Sequence, residues 1–309
     1  MSILVVGSVA LDHVETPFGC VDEALGGSAV FFGAAASVLT PVQVVGVVGS
    51  DYPMDKLRFL SQQGVDLSGI ETAEGESFRW KGRYSYDLND RDTIWTQLGV
   101  FAHFRPRIPE HFRDARTVFL GNIDPRLQLD VLQQVKSPEL IACDTMNFWI
   151  DGSRDALLEL LERVHILMVN DGEARQLADE PNLLKAARWI QARGPEWVVV
   201  KKGEHGAILF GKGAPFFVPG YPLEQVFDPT GAGDAFAGGF MGYLDACGGR
   251  SEEDFRRAMV YGSALGSFAV EAFSVDRLIG LDPAAVMERI RQFREMTSFE
   301  LEVEMARDG

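Results

Sequence analysis

The sequence is most informative at residues 228–240, which read Asp-Pro-Thr-Gly-Ala-Gly-Asp-Ala-Phe-Ala-Gly-Gly-Phe. Its proline and threonine favour a turn, and a helix is predicted to begin near Asp234. The small residues between them leave consecutive backbone N–H groups open at the helix N-terminus, where such groups bind anions. Beside a bound phosphate, Asp234 can act as a base, although an aspartate that merely caps the helix would look the same.

Outward from this turn, short apolar runs alternate with amphipathic stretches along most of the chain. The runs are continuous, as strands buried on both faces of a parallel sheet must be. They cover residues 3–6, 42–48, 117–120, 140–143, 166–169 and 197–200. Helical patterns separate them, and the chain after Asp234 is mostly helical. This order predicts a three-layer α/β/α fold with helices on both faces of a mainly parallel central sheet.

Two segments depart from this alternation of strand and helix patterns, residues 13–24 and 77–101. Both lack a helical period and alternate polar with apolar or aromatic residues, with a turn at Asn89-Asp90. They predict a separate small β-sheet, a lid inserted into a single domain that spans residues 1–309. Its aromatic residues would either cover a substrate and exclude water or form a homodimer interface. They are Trp80, Tyr84, Tyr86 and Trp95.

The overall charge argues against polyanionic partners. Lys and Arg total 29 against 45 Asp and Glu, a net charge of −16, so we expect neither nucleic acid nor an anionic membrane surface as a partner. The three cysteines are scattered, the first residues do not resemble a secretory leader, and no apolar run approaches the ~20 residues of a membrane span. We therefore expect a cytoplasmic protein.

The glycine-rich turn resembles the C-terminal signature of the ribokinase-like (PfkB) family of carbohydrate and nucleoside kinases, with Pro229 where that family usually has threonine. Other segments agree with the family in their order along the chain. They are Gly26-Gly27, residues 45–51 with 63–66, Asn170-Asp171-Gly172-Glu173, and residues 201–206. The resemblance covers nearly the whole chain and implies a ribokinase-like fold.

The resemblance also implies a reaction, the transfer of the γ-phosphoryl group of ATP to a primary hydroxyl. Asp234 would take the proton from that hydroxyl. The N–H groups of Gly231, Ala232 and Gly233 would hold the phosphoryl oxygens as charge shifts in the transition state.

Nucleotide and metal would lie at the ends of neighbouring strands. The resemblance assigns nucleotide binding to Asn170, Lys201, Gly203, Gly206 and Thr230. Asn170 and Glu173 lie one helical turn apart and would organise Mg²⁺ through its waters, while a helix cap is the alternative for this pair. Lys201 would place a positive charge near the phosphates. Asp144 and Asn147, after another strand, are further candidate site residues.

A further group of residues would bind the substrate that accepts the phosphoryl group. Asp12 would accept hydrogen bonds from two adjacent hydroxyls of a sugar or ribose, and Gly26 and Gly27 would let the substrate approach the backbone. The family typically has asparagine where Phe31 stands, so Phe31 would either stack on a substrate ring or belong to the core. Asp228 would contribute to the substrate or to a monovalent-cation site, or simply fix the turn.

Several functions remain open at this point. We prefer a sugar kinase, with a nucleoside kinase of the same family as the alternative. A non-catalytic protein that senses a nucleotide or metabolite is the alternative from another class. A dinucleotide-binding dehydrogenase is excluded, because the segment after Gly7 has no further glycines of that fingerprint.

Overall fold

Thirteen strands and ten α-helices occur in the described residues, 2–89 and 91–298, of a computed structural model. The strands are β1 (Ile3–Val6), β2 (Ala10–Thr16), β3 (Gly19–Gly26), β4 (Val42–Gly49), β5 (Val65–Ala73), β6 (Phe78–Tyr84), β7 (Arg91–Gln97), β8 (Thr117–Leu120), β9 (Leu140–Asp144), β10 (Ile166–Asn170), β11 (Trp197–Lys201), β12 (Ala207–Phe210) and β13 (Phe216–Val218). The helices are α1 (Ser28–Ala36), α2 (Arg58–Gln62), α3 (Pro125–Gln134), α4 (Asn147–Gly152), α5 (Arg154–Leu161), α6 (Asp171–Ala178), α7 (Leu183–Gln191), α8 (Ala232–Cys247), α9 (Glu252–Ala269) and α10 (Pro283–Thr297).

Nine of the strands form a central sheet in the order β13-β12-β11-β10-β9-β8-β1-β4-β5. The strands from β11 to β5 are parallel, while β12 and β13 are antiparallel additions at one edge. From β1 the chain first builds outward to β4 and β5, and then returns to β8 on the other side. This reversal opens a crevice at the carboxyl ends of β1 and β8, which is where α/β sheets bind ligands.

The inner parallel strands, such as β1, β8 and β9, are buried on both faces, which explains their continuous apolar sequences, whereas the edge strand β5 is partly exposed. In β1, Ile3 and Val5 belong to the core that includes residues of α1, α8, α9 and α10. Leu4 and Val6 belong to a second core, with residues of α3, α5, α6 and α7. The structure therefore confirms the three layers that the sequence predicts.

Close packing of three helices fixes the position of α8. A Cβ atom on Gly238 would lie 2.6 Å from the carbonyl oxygen of Phe32 in α1, and one on Gly239 would lie 2.6 Å from that of Tyr261 in α9. Only glycine permits such contacts, so α8 packs directly on both neighbours. Its N-terminus is thereby held at the crevice.

The remaining four strands form a small sheet in the order β3-β2-β6-β7, which confirms the second sheet expected from residues 13–24 and 77–101. β2 and β6 are parallel, and the outer pairs are antiparallel. Residues 99–103 form a 3₁₀ helix rather than a strand. Asp90 of the expected turn lies outside the described residues, as do residues 1 and 299–309 of the expected domain. In the described ranges, no helix is both long enough and apolar enough to cross a membrane.

Candidate active site

The glycine-rich turn presents its backbone to the crevice, as the sequence predicts. Gly231 is the N-cap of α8 and has φ 74°, a left-handed conformation that favours glycine. A Cβ atom on Gly233 would lie 3.1 Å from Lys201 Nζ. The helix begins two residues before Asp234, so this carboxyl lies in the first turn beside the open N–H groups. Such an arrangement can bind an anion beside a carboxyl group.

Phe31 lies beneath this turn and not in the crevice. A Cβ atom on Gly231 would be 2.3 Å from the Phe31 ring, and that ring is 2% exposed. The aromatic side chain therefore supports the turn from the core. Of the two interpretations made from the sequence, the core position is the one seen in this structure, since the ring has no exposed face on which a substrate could stack.

The surroundings of Asp234 suit a general base. Burial raises the pKa of Asp234 to about 7, and the negative charge of Asp144 adds to this effect. The positive charges of Lys201 and Arg91 oppose it. A base is most effective when its pKa lies near the working pH, because it is then both available and strong enough to take a proton.

Lys201 is paired with Asp144 at the carboxyl edge of the sheet. β10 places Asn170 opposite Lys201, and β9 ends at Asp144 one strand further on. Lys201 Nζ donates a 2.6 Å hydrogen bond to Asp144 Oδ2, and both side chains are largely buried. The charge that the sequence assigns to phosphate binding is thus compensated within the protein. Asn147 does not join this group, because it lies exposed at the start of α4.

Asn170 and Glu173 form a capping box at the start of α6. The Asn170 N–H donates to Glu173 Oε2 at 2.8 Å, and the Glu173 N–H donates to Asn170 Oδ1 at 2.7 Å. The helix-cap alternative is therefore present in the structure, and it leaves Glu173 Oε1 outside the box. Burial raises the pKa of Glu173 to about 7, with a further contribution from the charge of Asp144.

This set of carboxyl groups fits a hydrated magnesium ion. Asp144 and Glu173 each raise the pKa of Asp234, so the carboxylates repel one another and would gain from a bound cation. In the described part of the chain, no three or more His, Cys, Asp or Glu side chains are arranged to ligate a metal directly. Mg²⁺ usually retains several of its waters, which is compatible with residues that contact it through water.

Asp12 forms the other side of the crevice. Its side chain is buried, and a Cβ atom on Gly26 would lie 1.9 Å from Asp12 Oδ2. The residue at position 26 must therefore be glycine for the carboxyl group to fit. Burial raises the pKa of Asp12 to about 8, and the charges of Asp228 and Asp234 act in the same direction, while the Gly27 N–H lowers it.

Asp228 and Thr230 fix the turn and connect it to the small sheet. Asp228 Oδ1 accepts a 2.8 Å hydrogen bond from the Thr230 N–H, and Oδ2 accepts one of 3.2 Å from the Ser274 N–H. The Asp228 side chain is fully enclosed, and burial raises its pKa. The turn-fixing role that the sequence left open is thus present. Thr230 Oγ1 donates to the hydroxyl of Tyr84, at the end of β6.

The small sheet extends over the crevice as far as the segment that follows β11. Gly203 and Gly206 have φ values of 56° and 85° and enclose a tight turn, as expected from the sequence. Asn89, in the hairpin between β6 and β7, donates from Nδ2 to Glu204 Oε1 of that turn at 3.3 Å. The sheet therefore contacts both Asp12, on β2 itself, and the proposed nucleotide side.

Two residues that the sequence analysis did not single out also belong to the site. Arg91 is paired with Tyr84 across β6 and β7, and its positive charge acts on Asp12, Glu173 and Asp234. Tyr52 is 6% exposed, and within the described residues its buried hydroxyl has no hydrogen-bond partner. Burial raises the pKa of Tyr52, and the negative charge of the nearby Asp12 adds to this effect. The position of Arg91 depends on strand pairing, which composition does not reveal.

Known proteins are similar to this chain in sequence and in fold. The model of the pfkB family carbohydrate kinases matches residues 2–278. A cytidine kinase from Thermococcus kodakarensis is 30% identical over 247 residues, which cover 78% of this chain and 87% of that protein. The structure of a Burkholderia thailandensis nucleoside kinase in complex with inosine is similar, with a TM-score of 0.78 and 20% identity. The match covers 94% of this chain and 97% of that one. The structure of a putative ribokinase II from E. coli in complex with ATP and Mg²⁺ has a TM-score of 0.73 and 21% identity. The match covers 96% of this chain and 99% of that one.

These likenesses establish the class of the protein as a kinase, a phosphotransferase with a hydroxyl acceptor and a ribokinase-like fold. The chain belongs to the pfkB family of carbohydrate kinases. The family predicted from the five motifs is therefore confirmed. A non-catalytic sensor finds no support among these relatives.

Proposed function

We propose that this kinase phosphorylates a hydroxyl group on the ribose of a nucleoside, with ATP and Mg²⁺ as the donor. The observation that carries the proposal is the likeness to a cytidine kinase over 78% of the chain. The solved relatives bound to inosine, and to ATP with Mg²⁺, support the acceptor and the donor respectively. This proposal replaces the preference for a free sugar with the nucleoside alternative.

The acceptor side has the chemistry that a nucleoside requires. The two carboxyl oxygens of Asp12 suit the adjacent hydroxyls of a ribose, and the unpartnered hydroxyl of Tyr52 can bond a third polar atom. Trp80 is paired with Asp12 across β2 and β6, so both side chains lie on one face of the small sheet. The Trp80 indole lies against Gly82 and donates from Nε1 to Thr93 Oγ1 at 3.2 Å. A fixed aromatic ring of this kind can stack on a nucleobase.

The reaction follows from the placement of the remaining groups. Asp234 takes the proton from the acceptor hydroxyl as its oxygen attacks the γ-phosphorus. The backbone N–H groups of residues 231–233 hold the phosphoryl oxygens while the bond to the leaving ADP breaks. Asn170 and Glu173 would hold Mg²⁺ through its waters, and the ion would supply positive charge near the phosphates.

The small sheet covers the reacting groups and excludes water. Tyr84 and Arg91 lie on its inner face, whereas the neighbouring positions on the outer face carry ion pairs. Lys81 and Arg83 both bind Glu15, at 2.8 and 2.7 Å. Such a charged outer face favours the lid role over a homodimer interface, because interface cores are depleted in charged residues.

We extend the proposal to two general properties. The small sheet is continuous with the main fold, since β1 leads directly into β2 and β3 leads into α1, so the chain forms one domain. Cys20, Cys143 and Cys247 are free thiols, in keeping with a cytoplasmic enzyme. A monovalent cation is not included in the proposal.

A panel of acceptors tests the proposal. ADP release is measured with ATP and Mg²⁺ for cytidine, uridine, adenosine, inosine, ribose and fructose, and the Asp234→Asn variant serves as the blank for contaminating kinases. We expect at least one nucleoside to exceed both free sugars in kcat/KM by tenfold or more. A higher value for ribose or fructose would restore the sugar kinase, and no turnover with any acceptor would contradict the proposed activity.

A further inference from the structure

Arg91 is held above the glycine-rich turn by the small sheet. It is the first residue of β7 and is paired with Tyr84, whose hydroxyl accepts the hydrogen bond from Thr230. The guanidinium group interacts with this same hydroxyl, and its central carbon lies 5.7 Å from the centre of the Trp80 ring. Arg91 therefore lies on the side of the glycine-rich turn that faces the small sheet, and its charge acts on Asp234.

The guanidinium group of Arg91 is available to a ligand. In residues 2–89 and 91–298, Arg91 forms no ion pair, although its charge acts on several carboxyl groups of the crevice. The other cation of the site, Lys201, is already paired with Asp144 at 2.6 Å. Arg91 is also one of the solvent-exposed residues of β7. Of these two cations, Arg91 is the one whose charge is not compensated by a partner.

The crevice needs such a charge during the reaction. The carboxyl groups of Asp12, Asp144, Glu173 and Asp234 surround the place where a nucleoside triphosphate would add further negative charge. The negative charge spreads over three phosphoryl oxygens in the transition state, and an arginine can donate two parallel hydrogen bonds to such oxygens. The α8 N-terminus can contact these oxygens from one side only.

We propose that Arg91 binds the phosphoryl group in transfer, so that closure of the small sheet brings the required positive charge to the reaction. The acceptor oxygen forms a bond to the γ-phosphorus, and the bond from that phosphorus to the bridging oxygen of ADP breaks. The acceptor proton moves to Asp234, and Arg91 donates hydrogen bonds to the phosphoryl oxygens throughout. This inference rests on the proposed function, because it places the γ-phosphate at the glycine-rich turn.

The first test compares turnover in matched variants. We expect Arg91→Ala to lower kcat by about 100-fold or more, and to change the KM of the acceptor by less than about threefold. Arg91→Gln guards against misfolding of the alanine variant, and guanidinium ions added to Arg91→Ala should restore part of kcat. Arg83→Ala is the control, since Arg83 lies on the outer face of the same sheet and binds Glu15. It should retain the wild-type kcat.

The second test measures nucleotide binding and does not depend on an acceptor. Arg91→Ala should bind a non-hydrolysable ATP analogue about tenfold more weakly than the wild type, while its affinity for AMP stays unchanged. Equal affinities for the analogue, a kcat within threefold of wild type, or an effect confined to the acceptor KM would overturn the role of Arg91. A wild-type enzyme inactive on every acceptor would contradict only the proposed function, because the binding comparison would still report on Arg91.

Discussion

Thr230 donates a 3.1 Å hydrogen bond to the hydroxyl of Tyr84, and this bond joins the glycine-rich turn to the small sheet across 146 residues of sequence. Both side chains are buried. Because Thr230 directly precedes the N-cap of α8, any movement of the small sheet acts on the residues that would bind the phosphoryl group. The small sheet and the glycine-rich turn are therefore connected directly to each other.

Replacing Tyr84 with phenylalanine should weaken this connection. The Tyr84→Phe variant loses the bond and leaves the Thr230 hydroxyl buried without its partner, so we expect the free energy of unfolding to fall by about 1 kcal/mol. Urea denaturation measures this change. We also expect a several-fold lower kcat/KM. Tyr86→Phe is the matched control, because Tyr86 is 89% exposed, and an equal loss in both variants would contradict a specific role for Tyr84.

Replacing Asp234 with asparagine should separate binding from turnover. The amide cannot take the acceptor proton, so kcat should fall by about 10²–10⁴-fold. The backbone N–H groups of the turn are unchanged, and nucleotide affinity should stay close to that of the wild type. Steady-state kinetics measures the fall in kcat, and calorimetric titration measures the nucleotide affinity. Asp276→Asn, at an exposed position, is the control for loss of a negative charge, and an active Asp234→Asn enzyme would exclude Asp234 as the base.

The pH dependence of activity should reflect the raised pKa of Asp234. Burial stabilises the protonated form, in which the carboxyl group cannot act as a base, so the active fraction grows as the pH rises through about 7. Well below that value, kcat/KM should fall about tenfold for each pH unit. Initial rates in buffers from pH 5 to 9 measure this limb. A limb near pH 4, the ordinary range of an aspartate, would contradict the environment described here.

The fold was largely predictable because its strands are buried on both faces. The continuous apolar run of β1 could belong only to an enclosed strand or to a short buried helix segment. The strand is favoured because such runs alternate with helical stretches along the chain. The antiparallel edge was not predicted. β12 has four residues and β13 three, and their antiparallel pairing does not follow from the βαβ pattern of the preceding strands. The six-residue α4 was also missed, because one and a half turns give little helical period.

The sequence predicts candidate site residues most directly where the chemistry depends on consecutive residues. An anion-binding turn is predicted from Gly231, Gly233 and Asp234 because all the required features lie within four positions. Lys201 was assigned through the family resemblance, and its pairing with Asp144, 57 residues away, was not predicted. The position of Arg91 depends on its pairing with Tyr84 across a hairpin. Contacts of this kind require strand register, which a single sequence does not specify.

The buried pair of Lys201 and Asp144 should contribute to stability in a way that exposed pairs do not. Asp144→Asn leaves the Lys201 ammonium group largely buried and without its counter-ion, so we expect a loss of about 3–5 kcal/mol in unfolding free energy. Adding Lys201→Met should recover part of this loss, since the unpaired charge is removed. Glu15→Gln, which breaks more exposed pairs with Lys81 and Arg83, should cost less than about 1 kcal/mol. Equal costs for Asp144→Asn and Glu15→Gln would show that burial is not decisive.

The raised pKa of Asp12 should make the free enzyme less stable as the pH rises. The ordinary value is 3.8, and burial raises the pKa of Asp12 to about 8 in the folded protein. Between these values the folded state holds a proton that the unfolded state releases, so the stabilising effect of this proton is complete below about pH 4 and is lost as the pH approaches 8. Asp12→Asn imitates the neutral form at every pH.

We therefore expect Asp12→Asn to raise Tm by a few degrees at pH 8 and to leave it nearly unchanged at pH 4, while lowering acceptor binding. Thermal unfolding of both proteins at the two pH values measures this difference, and Asp276→Asn controls for the change in net charge. If Asp12→Asn lowered Tm at pH 8, the Asp12 carboxylate would have to be stabilised in its charged form, contrary to the burial described for this site.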